Sequence, residues 1–244
     1  MFKFENIKCL FFDLDNTLVR CSPLVSAYFI WRLCESYKKS CSPREIIKGL
    51  YNAKKNMRFK SSATCDNYQR LIQNFADGSG LKYSRCLEIY ERSMPDILHS
   101  LKPFFKPIAA AKNLIEQLES RFILVLATNA LWPEYFAILR LRWALIDSTR
   151  FLFMSHAKNM KHCKPHVEYY KEIINSCNNK ISPETCLYIG DNYTKDAPAT
   201  KAGLTTIILS SRAGLRNIRP ASLEHAALYE ADYKSIAEIF GINL

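Results

Sequence analysis

The sequence predicts an α/β protein whose parallel sheet is interrupted by an all-helical segment. Two observations support this class. Apolar runs of four to six residues at 9–12, 122–127 and 186–189 are typical of strands that are buried on both faces. From residue 103 onward such runs alternate with helical patterns, as they do in parallel sheets, whereas residues 20–102 show helical patterns alone.

The first predicted strand stops abruptly in the polar stretch Asp13-Leu14-Asp15-Asn16-Thr17. Side chains alternate along an extended chain, so Asp13 and Asp15 can point the same way while Leu14 points back. Ligands of open α/β sheets bind just beyond the carboxyl ends of the strands. We therefore expect two carboxylates to face one small site.

The helical segment has recognisable starts and one predicted loop. Ser22-Pro23 and Ser42-Pro43 each place a serine N-cap before a proline at the first helical position, and apolar residues at helical spacing follow both pairs. Two further helices are expected at 68–75 and 84–97. The stretch Asp77-Gly78-Ser79-Gly80 between them predicts a loop.

After residue 103 the pattern alternates between helix and strand. Apolar residues at helical spacing predict helices at 108–118, 133–143, 167–177 and 233–240, and a short helix at 197–202. Further strands are predicted at 151–154 and 205–209. This order is that of a parallel sheet with crossover helices.

The charge of the chain is concentrated in the helical segment. Between Arg20 and Lys106 there are 16 basic and 7 acidic residues, which is most of the net charge of +11. A positive region can steer an anionic substrate, a nucleic acid or an acidic protein towards a site. A solvated helical surface on a basic protein explains the charge equally well.

The cysteine pattern favours reduced thiols in a cytoplasmic protein. The nine cysteines are irregularly spaced and include no Cys-x-x-Cys pair. The apolar run near the N-terminus is broken by Asp13 before it could serve as a secretory leader. The longest apolar runs are far too short to span a bilayer, so we expect neither a transmembrane helix nor a membrane partner. No pattern indicates an oligomeric state.

The residues that follow the predicted strands suit phosphoryl transfer. They share a polar side chain at one edge of the sheet: Asp13, Asp15, Thr128, Asn129 and Asp191, with Lys164-Pro165 at the start of a helix. The carboxylates Asp13 and Asp191 can bind Mg²⁺, which offsets their repulsion of a phosphate. A threonine, an amide and a lysine can hold the remaining phosphoryl oxygens.

With these residues the chain resembles the haloacid dehalogenase (HAD) superfamily from Cys9 to about Leu209. All four motifs of that family are present in order, and they are Asp13-Leu14-Asp15-Asn16-Thr17, Thr128-Asn129, Lys164-Pro165, and Gly190-Asp191 followed by Asp196. The resemblance implies a Rossmann-like core formed by residues 1–19 and 103–244. It also implies an inserted helical cap of the C1 type at residues 20–102.

The resemblance implies a role for each acid of the first motif. Asp13 matches the nucleophile that attacks phosphorus and forms an aspartyl-phosphate. Asp15 matches the general acid that protonates the leaving oxygen and then, as a base, activates water. Family dehalogenases typically lack an acid at this position, so Asp15 favours phosphate ester hydrolysis over attack on carbon.

The other motif residues match supporting groups of the family. Thr128 and Lys164, with Asn129 beside them, match the groups that stabilise the phosphoryl group. Asp191 matches a Mg²⁺ ligand, together with Asp13 and the main-chain carbonyl of Asp15. Asp196 matches a second acid that either reaches the metal through water or orients Lys164.

We therefore expect a Mg²⁺-dependent phosphoric monoester hydrolase that acts on a small phosphorylated substrate. A dehalogenase or a phosphomutase on the same core is the alternative enzyme. A non-catalytic protein whose basic cap recruits a nucleic acid or an acidic partner is the alternative from another class. The intact catalytic set argues against that reading, so a nucleic acid partner is not expected.

A second set of potential metal ligands flanks Lys164. His162, Cys163 and His166 are residue types that bind zinc, but no fourth ligand is evident and the lysine opposes a cation. We expect these three to be loop residues near the mouth of the site.

Overall fold

The computed structural model describes residues 4–59, 64–177, 181–210, 219–220 and 228–243. The strands are β1 (Cys9–Phe12), β2 (Val19–Cys21), β3 (Phe105–Pro107), β4 (Ile123–Leu126), β5 (Phe153–Met154), β6 (Cys186–Gly190), β7 (Thr205–Leu209), β8 (Arg219–Pro220) and β9 (Leu228–Ala231). The helices are α1 (Val25–Tyr37), α2 (Pro43–Phe59), α3 (Asn67–Ser79), α4 (Tyr83–Ser100), α5 (Ala109–Leu118), α6 (Glu134–Trp143), α7 (Val167–Ser176), α8 (Tyr193–Asp196) and α9 (Tyr233–Ile239).

A single large sheet forms the core, with the strand order β5-β4-β1-β6-β7-β9-β8. The first six strands in this order are parallel, and β8 runs antiparallel to β9 at the edge. This confirms the predicted α/β class with a Rossmann-like parallel sheet. The strands β1, β4, β6 and β7 lie where the apolar runs predict them.

The sheet is covered on both faces, which explains the continuous apolar runs. Along β1, Leu10 and Phe12 join one apolar layer, whereas Cys9 and Phe11 join the layer on the opposite face. Helices α5 and α9 contribute to the first layer and α7 to the second. A strand with two covered faces has no solvent side, so it loses the alternation of polar and apolar residues.

The four helices α1–α4 follow one another between β2 and β3. These two strands pair antiparallel, with Val19 opposite Pro107 and Cys21 opposite Phe105, so the chain leaves the core and returns to it at one place. Helix α2 starts as predicted, since Ser42 Oγ accepts from the Glu45 backbone N–H and Glu45 accepts from the Ser42 N–H. Helix α1 begins at Val25, later than Ser22-Pro23 predicts.

The prediction of a loop at residues 77–80 is wrong, because helix α3 continues to Ser79. Gly78 serves close helix packing, since a Cβ there would lie 2.7 Å from Asn52 Cβ and 2.9 Å from Gly49 Cα on α2. Only Gly80 acts as a terminator, with a left-handed φ of 77° that ends the helix. The two glycines therefore differ in role: Gly78 allows α3 to pack closely against α2, and Gly80 ends α3.

Two further expectations need correction. The strand predicted at 151–154 is confined to β5, and the helix predicted at 197–202 is a 3₁₀ helix. The pattern also gives no sign of the short β2–β3 ribbon or of β9. None of the nine cysteines, all of which lie in the described part of the chain, forms a disulfide. Among the described residues, no helix is both long enough and apolar enough to cross a bilayer.

Candidate functional site

The sheet register brings the ends of β1, β4 and β6 to the same level. Phe12 lies between Leu126 and Ile189, and Asp13 continues the ladder by donating its N–H to the Ile189 carbonyl at 2.9 Å. Asp13 therefore leaves the sheet where the residues following Leu126 and Ile189 also leave it. Thr128 and Asp191 then follow within two residues on either side, as the motif spacing predicts.

Lys164 is the buried cation at the centre of this edge. Its ammonium donates to Asp13 Oδ1 at 2.6 Å, to Asp196 Oδ1 at 2.8 Å and to the Tyr188 hydroxyl. Burial opposes the charged form, but the two carboxylates outweigh it and hold the pKa of Lys164 well above its ordinary value. The lysine is thus a fixed positive charge that is shared by two aspartates.

Asp13 is buried in a strongly charged environment. Burial raises the pKa of its carboxyl to about 7, an effect that Lys164 opposes and that Asp196 and Asp15 reinforce. The site thus holds more negative charge than a single lysine neutralises. A second cation beside the aspartates would stabilise their ionised forms.

Asp196 is held by protein donors on both of its carboxylate oxygens. Oδ1 accepts from Lys164 and from the Tyr188 hydroxyl at 2.8 Å, and Oδ2 accepts from the Asn192 backbone N–H at 2.9 Å. The carboxylate packs against the backbone of Gly190, where a Cβ would lie 2.3 Å from Oδ2. Glycine before Asp191 is therefore what allows Asp196 to approach the strand end.

Three carboxylates form a candidate metal centre. Oxygen atoms of Asp13, Asp191 and Asp196 all lie within 4.8 Å of one another. Burial, assisted by Asp196, raises the pKa of Asp191. A set of hard oxygen donors is what Mg²⁺ prefers, so the residues present fit this ion.

Asp15 faces a different cation from the one that binds Asp13. Its Oδ2 accepts from Arg140 Nη1 of α6 at 2.6 Å. The arginine side chain is only 1% exposed, whereas that of Asp15 is 40% exposed. The two acids of the first motif thus lie two residues apart but have separate positive partners.

Thr128 and Asn129 lie beside this cluster on the loop after β4. Thr128 is buried, and its carbonyl accepts from Ser155 Oγ at 2.7 Å and from the Tyr169 hydroxyl at 2.5 Å. Asn129 Oδ1 accepts from the backbone N–H of Lys164 at 3.2 Å, just before the cis Lys164–Pro165 peptide. The amide therefore positions the lysine as well as lying next to Thr128.

The second set of potential ligands lies in the loop at residues 162–166. Cys163 Sγ donates to the Met57 carbonyl at 2.9 Å, and burial raises the pKa of its thiol to about 11. In the part of the chain that the structure describes, the cluster of metal-ligating side chains is that of the three aspartates. The expectation that His162, Cys163 and His166 are loop residues fits this arrangement.

The residues before Lys164 also contact the four-helix segment. The backbone N–H groups of Asn67 and Tyr68, at the start of α3, donate to the carbonyls of Met160 at 2.8 Å and Ala157 at 2.9 Å. Arg70 Nη1 adds a bond of 2.6 Å to the Lys161 carbonyl. The loop that carries the lysine is thus braced by the inserted helices.

The sequence pattern does not indicate the roles of two residues of this site. It places Tyr188 in an apolar strand and Arg140 in a helix, and nothing more. The available signals were weak: a tyrosine two residues before Gly190 on the same face of β6, and an arginine four residues after Phe136 in an otherwise apolar stretch. Neither pattern indicates which residue the side chain binds.

A family model for haloacid dehalogenase-like hydrolases matches residues 7–203. No curated protein matches the sequence.

Solved structures share the fold at low sequence identity. The 2-haloacid dehalogenase of Pseudomonas syringae pv. Tomato DC3000 has a TM-score of 0.64 and 18% identity, over 96% of this chain and 98% of that chain. A HAD phosphatase from Thermococcus onnurineus has a TM-score of 0.59 and 19% identity, over 96% and 98%. A HAD hydrolase of Bacillus subtilis bound to magnesium has a TM-score of 0.55 and 20% identity, over 97% and 99%.

Proposed function

This chain belongs to the haloacid dehalogenase-like hydrolases, and from that premise we propose that it is a Mg²⁺-dependent phosphatase of small phosphomonoesters. The observation that carries the proposal is the buried cluster in which Asp13 and Asp196 share Lys164, with Asp191 within 4.8 Å. A phosphatase and a magnesium-bound hydrolase among the similar structures support it.

Asp15 supports phosphate ester hydrolysis in preference to dehalogenation. A departing halide needs no proton, whereas the alkoxide that leaves a phosphate ester does. Asp15 supplies a partly exposed carboxyl two residues from Asp13, and in this proposal it protonates the leaving group of an ester that Asp13 attacks.

The proposed reaction has two steps. A carboxylate oxygen of Asp13 attacks phosphorus as the bond to the leaving oxygen breaks, and Asp15 gives that oxygen its proton. A water molecule then attacks phosphorus, Asp15 takes its proton, and the bond to Asp13 breaks. Lys164, Thr128 and Asn129 hold the phosphoryl oxygens in both steps.

Mg²⁺ would be held by Asp13, Asp191 and the main-chain carbonyl of Asp15. When bound, it supplies positive charge that offsets the repulsion between these carboxylates and the phosphate. Asp196 serves in this proposal to orient Lys164, because both of its oxygens already accept hydrogen bonds from the protein.

We also propose that residues 20–102 form a cap over a core made of residues 1–19 and 103–244. The pairing of β2 with β3 supports this division, because the insertion then has a single stem. Closure of such a cap excludes water from the site and supplies substrate contacts.

The test is phosphate release from sugar phosphates, nucleotides, phosphoglycolate and an aryl phosphate, each with Mg²⁺ and with chelator. We expect metal-dependent release by the wild-type protein and none by Asp13→Asn, which keeps the size of the nucleophile. Asp77→Asn makes the same change on an exposed helix face and serves as the control.

Three results would contradict the proposal. Activity that persists in folded Asp13→Asn rejects the nucleophile. Halide release from haloacids, without phosphate release from esters, supports a dehalogenase. Interconversion of sugar phosphate isomers without free phosphate supports a mutase.

A further inference from the structure

The pair formed by Arg140 and Asp15 joins two parts of the chain that lie 125 residues apart in sequence. Arg140 is fixed by its own helix: Nε donates to the Phe136 carbonyl at 3.3 Å, and Cζ lies 4.4 Å from the centre of the Phe136 ring. Its side chain is buried, so it cannot turn towards solvent when Asp15 moves. Asp15 thus meets a rigid cation.

The hydrogen bonds of the pair are asymmetric. Asp15 Oδ2 is bonded to Arg140 Nη1, whereas Asp15 Oδ1 and Arg140 Nη2 are buried atoms without a hydrogen-bond partner among the described residues. Buried polar atoms are normally satisfied. The short hydrogen bond through Oδ2 is therefore the contact that fixes the Asp15 carboxyl group to α6.

We propose that Arg140 is a positioning residue that anchors Asp15 through Oδ2 and so holds the Asp15 carboxyl group in place for its exchange of protons with the leaving group and with water. This inference rests on the proposed phosphatase function. In the first step the proton moves from the Asp15 carboxyl group to the leaving oxygen as its bond to phosphorus breaks. In the second step the Asp15 carboxylate receives the proton of the attacking water as the bond between phosphorus and Asp13 breaks.

Arg140 also balances charge at the site. A phosphate dianion that enters beside an aspartate meets repulsion, and a guanidinium 2.6 Å from that carboxylate offsets it. Lys164 does the same for Asp13 and Asp196. Arg140 thus serves Asp15 as Lys164 serves the pair formed by Asp13 and Asp196.

The test uses the basicity of the leaving group, which a purely structural role would not sense. Values of kcat/KM are measured for ethyl phosphate, whose alkoxide needs a proton, and for dinitrophenyl phosphate, whose phenolate does not. We expect Arg140→Met to lose about 10²-fold on ethyl phosphate, the size of a misplaced catalytic group, and far less on dinitrophenyl phosphate. The ratio of the two values does not depend on the folded fraction, so partial unfolding leaves the test valid.

Further variants locate the effect. Arg140→Lys keeps the cation and should give an intermediate ratio, while Arg142→Met makes the same change at an exposed site on the same helix and should leave the ratio unchanged. In an Asp15→Asn background, where the ratio is already lowered, Arg140→Met should not lower it further.

The outcomes separate the two proposals. An active wild-type enzyme whose substrate ratio is unchanged in both Arg140 variants leaves the phosphatase function standing and overturns the role of Arg140. A ratio that falls again when Arg140→Met is added to Asp15→Asn shows that the arginine does not act through Asp15. A wild-type protein that releases phosphate in Mg²⁺ neither from these two esters nor from the panel of phosphomonoesters named above refutes the phosphatase function itself.

Discussion

The substitution Asp196→Asn tests whether one buried carboxylate holds the site together. Asp196 receives three donors: Lys164 at 2.8 Å, Tyr188 at 2.8 Å and the Asn192 N–H at 2.9 Å. Asparagine keeps the size of the side chain but removes the charge. It has one acceptor oxygen, whereas the aspartate accepts hydrogen bonds on both of its oxygens. One donor must then face the amide N–H₂ group, and Lys164 keeps only Asp13 as an anionic partner.

The expected loss of stability follows from that geometry. Removing one partner of a buried ion pair costs about 3–5 kcal/mol, and the lower end applies because Asp13 remains bound to the lysine. With an unfolding slope of about 2 kcal/mol per M, the urea midpoint should fall by about 1.5 M. Asp77→Asn, on an exposed helix face, should leave the midpoint unchanged.

The same variant separates the two roles that the sequence leaves open for Asp196. If Asp196 orients Lys164, turnover falls while the Mg²⁺ concentration for half-maximal rate stays the same. If it acts through the metal, that concentration rises. A urea midpoint equal to that of the wild type would refute the reasoning about a buried bridging anion.

Two glycine substitutions extend these predictions. Gly190→Ala places a Cβ 2.3 Å from Asp196 Oδ2, so we expect a loss of about 1–3 kcal/mol from overpacking and a fall in turnover. This fall should add less than fully to that of Asp196→Asn, and full additivity in the double variant would contradict the contact. Gly78→Ala places a Cβ 2.7 Å from Asn52 Cβ. It should lower the urea midpoint although alanine favours helix, and a raised midpoint would show that α2 and α3 can separate at no cost.

The core strands and the motif residues were predictable because their causes are local. A strand that is covered on both faces needs consecutive apolar residues, so β1, β4 and β6 are visible as runs. Parallel strands end at a common edge, so polar residues after those runs converge. Asp13 and Asp191 are therefore expected at one edge from the strand pattern, whereas Lys164 is placed there only by the order of the motifs in the family resemblance.

The glycines at 78 and 80 show where local patterns fail. Both are small and lie in a polar stretch, which favours a turn. Gly78 instead packs against α2, and this contact depends on where the two helices lie in the fold, not on the local sequence. The β2–β3 ribbon is not predicted for the same reason. Its two strands have three residues each, and the whole inserted helical segment separates them in the sequence.

The sequence by itself determined the α/β class, the edge of the sheet where the motif residues meet and the acids that lie there. Only the tertiary structure determines which charged side chains form ion pairs with one another. Lys164 joins Asp13 to Asp196, and a buried arginine from α6 binds Asp15. The physical reason is that apolar periodicity reports the burial of each segment locally, whereas a hydrogen bond between distant residues depends on how the segments pack.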